Sequence, residues 1–403
     1  MPCSHGYAAT LTENNHTDMR YRYSTEEDGR LVKRAVVYTR NEHGINPEDI
    51  DSEAKSIIQR LKSSGYESYI VGGAVRDLIL KKKPKDFDIV SEASPLKIKK
   101  IFRNSRIIGR RFKLVHIYFG PRVFEVSTFR SLKDGLTSNT YGSVKDDVLR
   151  RDFTLNALLY DPQQQVVVDY VKGLKDIKAK RIRPIIPLSA IFKDDPVRMI
   201  RAVKYAAATG FTLPFSLKCK IKSQSKLLAA ISPSRLTEEI FKIIHSPHAG
   251  RIVTALDKMG LYMYLQPNAV KLMQQRPSFR SRYLRSMAAL NQPDEAIGTL
   301  INDYLEDITD WERSISENYK ACLAAARSFL QPMNPPRFEV DHAIRRFFAA
   351  HGITIKKSHV IANVNQEKPQ ETASPNIDGK AHKYRKKRKK KQGAKEGEKS
   401  NGF

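Results

Sequence analysis

The sequence predicts an α+β protein, with a small β-sheet and its helices first, an all-helical portion next, and a disordered basic tail. Three observations carry that expectation. Short β-rich runs alternate with helices from about Asn41 to Gly173. From about Leu174 onward almost only helical periodicity is found. From Gly379 to Phe403, eleven Lys or Arg stand against two Glu, with little that is apolar among them. The expected organisation is a polar N-terminal arm (1–40), the mixed domain (41–175), a first helical region (176–250), a helical body (251–355) and the tail (356–403).

The elements follow in order. The first forty residues lack the apolar stretch of a secretory signal. Glu13, Asp18, Glu26, Glu27 and Asp28 spoil the acid-poor pattern of a transit peptide, so a flexible arm is expected there. Tyr69-Ile70-Val71 reads as a strand, and Gly72-Gly73 turns it into a helix running from Ala74 to Leu80. A second strand, Asp86 to Val90, precedes a helix over Pro95 to Phe102. Leu114 to Phe119 and Arg122 to Phe129 alternate in polarity around Gly120-Pro121, which predicts a hairpin. Val197, Ile200, Val203 and Ala207 have helical spacing and end at Gly210, with Asp195 as the expected N-cap and Pro196 as the first helical residue. Arg235 to His245 and Gly250 to Tyr262 continue the helical pattern, and Gln331 to Pro336 is a proline-rich break.

Composition narrows the function. The 403 residues include 71 Lys plus Arg and 43 Asp plus Glu, a formal charge of +28. That excess asks for a polyanionic partner, nucleic acid before an anionic membrane surface. Hydrophobic residues make up 40%, enough to bury a core and exclude global disorder. No run of eighteen apolar residues exists, so no membrane partner is expected through a spanning segment. Only Cys3, Cys219 and Cys322 occur, far apart, which excludes a disulfide scaffold and a zinc finger and points to a reducing, cytoplasmic compartment. The tail run Arg385-Lys386-Lys387-Arg388-Lys389-Lys390-Lys391 repels itself too strongly to fold. It suits a grip on an RNA or DNA backbone, with a solubilising tail or a nuclear localisation signal as alternatives.

Four elements in the chain carry chemistry. In Gly72-Gly73-Ala74-Val75-Arg76-Asp77, two glycines between a strand and a helix let backbone amides approach an anion, and Arg76 adds a charged fork. A tight connection with no ligand is the plain alternative. In Asp86-Phe87-Asp88, strand alternation would aim both carboxylates the same way, and Mg2+ is the natural cation between them because it shares hard oxygen ligands with phosphates. Two solvated acids on an edge strand are the alternative. Glu125 on the later strand offers a third carboxylate, the layout for in-line displacement at phosphorus. The third element is Arg150-Arg151-Asp152-Phe153-Thr154-Leu155-Asn156-Ala157. The fourth, Asp194-Asp195-Pro196-Val197-Arg198-Met199-Ile200-Arg201, puts Arg198 and Arg201 one turn apart, with an acceptor at Asp195 able to read a base edge. Capping by Asp195 and ion pairing by the arginines is the structural alternative. His116 reads as a packed histidine rather than a general base. Ser246-Pro247 separates His245 from His248 and breaks the helix a metal pair would need.

The string YIVGGAVRDLIL, KPKDFDIV, RRDFTLNALLYD and DDPVRMIRAVKYAA, in this order, resembles the bacterial-type class II nucleotidyltransferases, the family of tRNA CCA-adding enzymes and bacterial poly(A) polymerases. The resemblance runs from about His43 to Gly250, roughly half of the chain. It implies a palm-like catalytic domain followed by a helical neck and body, and ATP as substrate. It further implies that Asp86 and Asp88 bind the catalytic metal, that Gly72, Gly73 and Arg76 touch the triphosphate, and that Arg151 and Asp152 border the sugar and the catalytic centre. Asp195 and Arg198 match the protein template for the incoming base. The usual Glu-Asp opening of that template is Asp194-Asp195 here, a conservative departure.

Phe102 to His116, Val144 to Phe153 and the basic extension look more like the poly(A) polymerase branch. The expectation is addition of AMP to RNA 3′ ends in RNA processing or decay, with RNA-decay proteins as possible partners. CCA addition to tRNA, a non-catalytic RNA-binding protein on the same fold, and a DNA repair polymerase are the alternatives. Intact acids at Asp86, Asp88 and Asp152 argue against a decayed enzyme. If the tail grips RNA, truncation after Ile377 makes the salt dependence of RNA binding shallower, by about 0.7 in log–log slope for each of roughly four to eight lost contacts. It also shortens products, because a tethered strand stays at high local concentration. A salt series alongside a product-length gel checks this. Unchanged slopes and lengths assign the run another task.

Overall fold

The computed structural model describes residues 20–25, 31–109, 113–131, 140–290 and 295–356. Nine strands form one mixed sheet: β1 (Arg20–Thr25), β2 (Leu31–Tyr38), β3 (Ser68–Val71), β4 (Asp88–Ser91), β5 (Ser105–Ile108), β6 (Leu114–Phe119), β7 (Arg122–Thr128), β8 (Leu159–Asp161) and β9 (Val166–Asp169). Their order is β1-β2-β9-β8-β3-β4-β7-β6-β5. Only the β4–β7 pair is parallel among the described ladders, as it must be reached by a crossover, here through the helix Pro95–Ile101. The predicted hairpin stands, with Phe119 opposite Arg122 across its turn.

The expected flexible arm is corrected by β1 and β2. They pair with each other, and β2 pairs with β9 through Val36 opposite Asp169, so this segment forms one edge of the sheet. Ala35 and Val37 lie buried on its inner face, an alternation that the acidic surroundings obscure in the sequence.

Strand alternation divides the core in two. Ile70, Ile89 and Val126 face one side and join an apolar cluster that continues through the helices as far as Ile355. Tyr69, Val71 and Val90 face the other side, packing with Phe129, Val148 and Leu159. Helices predominate after the last strand, as expected. The helix Val197–Thr209 stops at Gly210, whose φ of +76° is the left-handed cap conformation that glycine adopts without strain. Pro233–Ile244, Ala249–Lys258, Pro277–Ala289, Ile315–Leu330 and Arg337–Ala350 follow, the last two flanking the proline-rich break. No described helix is long and apolar enough to cross a membrane. The described residues all fall within one compact unit. The tail run 385–391 lies outside the described residues.

Close helix packing in the body depends on Gly250, where a β-carbon would come within 2.8 Å of the Ala288 Cα. Gly250→Ala is expected to lower stability by about 1–3 kcal/mol. In a urea titration the midpoint falls with little change in slope.

Candidate active site

The site begins where β3 ends. Gly72 takes φ +77° and ψ −135°, a conformation that side chains resist, and a β-carbon there would sit 3.7 Å from the Asp88 carboxylate. Val71 stands opposite Asp88, so the ladder closes at that pair and the chain before it has no partner strand. Asp86 consequently lies in the approach loop, exposed, and not on the strand that was expected to begin with it. The two carboxylates are neighbours through this loop and not through strand alternation. Asp88 heads β4 at the cleft surface. Burial by the surrounding protein, then the charges of Glu125 and Asp86, push its carboxyl up to about 6, against the pull of Arg151 and Lys242.

Two cavities meet at Asp88. The larger, of about 430 Å³, is lined by Gly72, Gly73, Arg76, Asp88, Arg150, Arg151, Asp152, Asn156, Asp195, Arg198, Arg201 and Tyr205. It thus gathers eleven of the chain's residues that lie within the four chemical motifs, from four separate stretches of sequence. The smaller, of about 170 Å³, shares Asp88 and Arg151 and adds Glu125, Ser127 and Arg130.

Within the larger cavity Arg76, Arg151, Arg198 and Arg201 are each held. Arg76 donates from Nε and one terminal nitrogen to Asp77 at 2.8 and 3.0 Å, and from the other to the Asn156 side-chain oxygen at 2.8 Å. Three of its five N–H groups are engaged and two remain for a ligand. Arg151 donates to Asp147 at 2.8 Å. Arg198 donates to the Ile191 and Arg150 carbonyls at 3.4 Å, long contacts that orient its fork without saturating it. Asp195 accepts from the Val197 amide at 3.1 Å through one oxygen and from Arg235 at 2.5 Å through the other. The capping role is therefore real, although Pro196 itself occupies the cap position.

Asp152 and Arg201, expected at the catalytic centre and on the nucleotide, are chiefly bound to each other. Arg201 Nε donates to Asp152 at 2.6 Å, and the other Asp152 oxygen accepts from the Phe153 amide at 2.8 Å. Burial opposes the Asp152 charge, but Arg201 outweighs it and holds the carboxyl below its usual range. Asp152 thus positions Arg201, and both residues line the larger cavity. Arg201 also lies 3.8 Å from Glu239, which binds Lys204 at 2.6 Å. The Tyr205 ring carries Arg76, Arg201 and Lys204 around it at 5.5–5.7 Å.

Glu125 approaches His116 at 3.4 Å. It does not complete a three-acid cage, since among the described residues no three His, Cys, Asp or Glu are gathered as a metal site. His116 is packed as expected, but its Nε2 is buried without a hydrogen bond. His245 stacks on Phe241, and His248 meets Arg251 at 2.7 Å, so the two histidines form no pair.

Sequence reasoning missed Asn156, Tyr205, Arg235 and Glu239. The first two sit inside recognised motifs and were readable as polar residues on the motif face. Arg235 and Glu239 belong to a different helix, Pro233–Ile244, with no local signal tying them to the cleft.

Comparison with known proteins agrees with this geometry. The family described as "Poly A polymerase head domain" matches residues 68–183, and "Probable RNA and SrmB-binding site of polymerase A" matches 210–273. Poly(A) polymerase I of Escherichia coli O6:H1 is 39% identical over 62% of this chain and 57% of its own length. The CC-adding tRNA nucleotidyltransferase of Halalkalibacterium halodurans is 34% identical over 54% of this chain and 55% of its own. The crystal structure of the Bacillus stearothermophilus CCA-adding enzyme with CTP is similar at a TM-score of 0.53 and 30% identity, covering 77% of this chain and 86% of that one. The chain belongs to the bacterial-type class II nucleotidyltransferases, the family of poly(A) polymerases and CCA-adding enzymes. It spans between half and three fifths of the length of the curated relatives it matches.

The buried acids make a test of the network. Burial raises the Glu239 carboxyl, but Lys204 and Arg201 more than offset this and hold it below its ordinary 4.5. Folding thus favours the carboxylate. Its contribution is complete above pH 4.5 and is lost as the pH falls through the depressed value. Glu239→Ala, which leaves Lys204 buried without its partner, is expected to cost about 3–5 kcal/mol, and Glu239→Gln less. Denaturant titrations of wild type and Glu239→Gln should differ by a constant amount from neutral pH to about 5 and converge below that.

Proposed function

We propose that this chain is a template-independent polynucleotide adenylyltransferase that adds AMP from ATP to RNA 3′ ends. The observation that carries the reading is the wall shared by the two cavities. A nucleoside triphosphate in the larger and a strand end in the smaller would meet at Asp88 and Arg151. Asp195 would accept a hydrogen bond from the adenine N6 amine, and the half-engaged fork of Arg198 would donate to N1. Gly72 and Gly73 keep side chains away from the phosphates, and the two unused N–H groups of Arg76 donate to them. Arg201 and Asp152 fix the helix that carries Arg198.

The carboxylates of Asp86 and Asp88 would hold Mg2+. Burial and then the Glu125 and Asp86 charges raise Asp88 to about 6, a cost that a divalent cation would relieve, and two hard oxygen donors leave room for substrate phosphates. When bound, the ion would supply Lewis-acid stabilisation of charge at the α-phosphate. Glu125 adds negative potential at the same point from the smaller cavity.

RNA as the acceptor is supported by the match of residues 210–273 and by the names of the relatives. Addition of A alone is favoured by the higher identity to poly(A) polymerase I, 39% against 34% for the CC-adding relative. CCA addition is the second reading, supported by the likeness to the CCA-adding enzyme structure.

The experiment offers the purified protein an unstructured RNA primer, magnesium and each nucleotide separately. A long ladder with ATP alone is expected. Two C additions and one A on tRNA ends, with no ladder, would instead establish the second reading, and RNA binding without extension would make the chain a binding protein. Asp88→Ala or Asp86→Ala should abolish extension and leave RNA binding nearly intact. Reversing the template with Asp195→Arg and Arg198→Asp should erode the preference for ATP over CTP and GTP.

A further inference from the structure

A second groove, of about 560 Å³, lies in the helical body where the helices Ile315–Leu330 and Arg337–Ala350 are joined by the proline-rich break. Its floor is apolar: Leu330, Met333 and Val340 are buried there, with Pro332 and Pro335 on the walls. Arg327 and Arg337 flank it, both exposed, and no Asp or Glu lines it. Most arginines of this body are neutralised on the surface: Arg276 and Arg282 by Asp307, Arg280 by Asp257, Arg345 by Asp341, Arg346 by Glu295. Arg327 and Arg337 have no such ion pair among the described residues. Phe338, beside Arg337 in the first turn of its helix, is 72% exposed, so its ring is open to a stacking partner.

We propose that this groove is an RNA subsite, which takes a nucleotide of the acceptor strand upstream of its 3′ end. Arg327 and Arg337 hold flanking phosphates, the proline and methionine floor receives a base, and Phe338 stacks a neighbouring one. Unpaired cations beside an apolar platform are the combination that binds single strands without regard to sequence. The helix Pro233–Ile244 links the groove to the cleft. Pro233 lines the groove, the Thr237 hydroxyl accepts from the Asn334 amide at 3.1 Å, and Arg235 on the same helix binds Asp195. Two residues along a helix are about 3 Å of rise, so one element borders both places. A strand leaving Asp88 therefore has a cationic station on the same support. The groove lies beyond the matched RNA-binding segment 210–273 except at Pro233.

The proposal rests on the reading that the chain extends RNA ends, and the test separates the two. Binding of a fifteen-nucleotide oligo(A) is measured by fluorescence anisotropy over a salt series, with extension kinetics on the same primer and on a trinucleotide. For Arg327→Gln with Arg337→Gln, the salt slope should fall by about 1.4, two contacts at 0.7 each. The long-primer KM should rise about tenfold, and that of the trinucleotide, too short to reach the groove, should stay near wild type. Phe338→Ala should weaken binding about fivefold or more with an unchanged slope, because stacking releases no counterions. Arg327→Lys with Arg337→Lys should restore the slope. Millimolar AMP should not compete, since the subsite holds a strand and not a free nucleotide. If wild type extends RNA and the folded Gln variant keeps its slope and its primer-length dependence, the groove proposal fails alone and the groove is left to a protein partner. If wild type neither binds nor extends RNA, the functional reading fails first.

Discussion

Arg201 lies between Asp152 at 2.6 Å and Glu239 at 3.8 Å, and the arrangement of the cleft depends on that position. Asp152 comes from the sheet domain, Arg201 from the helix Val197–Thr209, and Glu239 from the helix Pro233–Ile244. One guanidinium thus ties together three segments, two of which line the larger cavity. Its fork suits the task, since a planar cation with donors on several edges can face two carboxylates at once. Each member of such a buried group relies on the others for charge compensation, and removal of one leaves an unpaired ion away from water. The same constraint explains why Glu239, remote from the cleft surface, is bracketed by Lys204 and Lys242 as well.

With Arg201 and Asp152 absorbed into this support, the charges left facing the cleft segregate. Acids gather at the Asp88 end, where the Glu125 and Asp86 charges add to what burial costs the Asp88 carboxylate. Cations line the cavity at Arg76, Arg151 and Arg198, where the proposed triphosphate and base would lie. A triphosphate lying along the cavity would put its negative charge over the cations while its reactive phosphorus approached the acids. That approach is unfavourable without a bridging cation, since burial together with the Glu125 and Asp86 charges already raises the Asp88 carboxyl. The apoprotein bears this cost because sheet and helices fix the carboxylates before any ligand arrives.

How much of this was legible in the sequence depended on the range of the interaction. The turn at Gly72-Gly73, the β6–β7 hairpin and the helix ending at Gly210 are local, set by backbone preferences of a few adjacent residues, and they appear where pattern reading put them. Asp86 fell off its expected strand because strand length is decided by the partner, and β3 stops at Val71. The edge hairpin at residues 20–38 escaped because its signal is pairing with β9, more than a hundred residues away. Residues of the four motifs line one cavity, but the ion pair between Asp152 and Arg201 within it is a contact across 49 residues that no motif spells out. Arg235 and Glu239 were invisible for the same reason, since helical periodicity says that a face is buried without saying against which charge.

The arginines divide accordingly, and the division bears on how a sequence-blind polymerising enzyme would work. Those lining the cleft are oriented by acids, amide oxygens or main-chain carbonyls, so their forks have fixed directions and can discriminate a base edge or a phosphate position. Arg327 and Arg337, exposed and without ion pairs among the described residues, have no fixed direction and can follow a phosphate as it passes. A strand that advances by one nucleotide after each addition must be released and regripped at every step. Orientation at the point of chemistry and looseness along the exit path are therefore complementary demands. The first requires buried counter-charges such as Asp152 and Glu239, whereas the second requires their absence, and the helix Pro233–Ile244 has Glu239 beside the buried Arg201 and Pro233 on the acid-free groove.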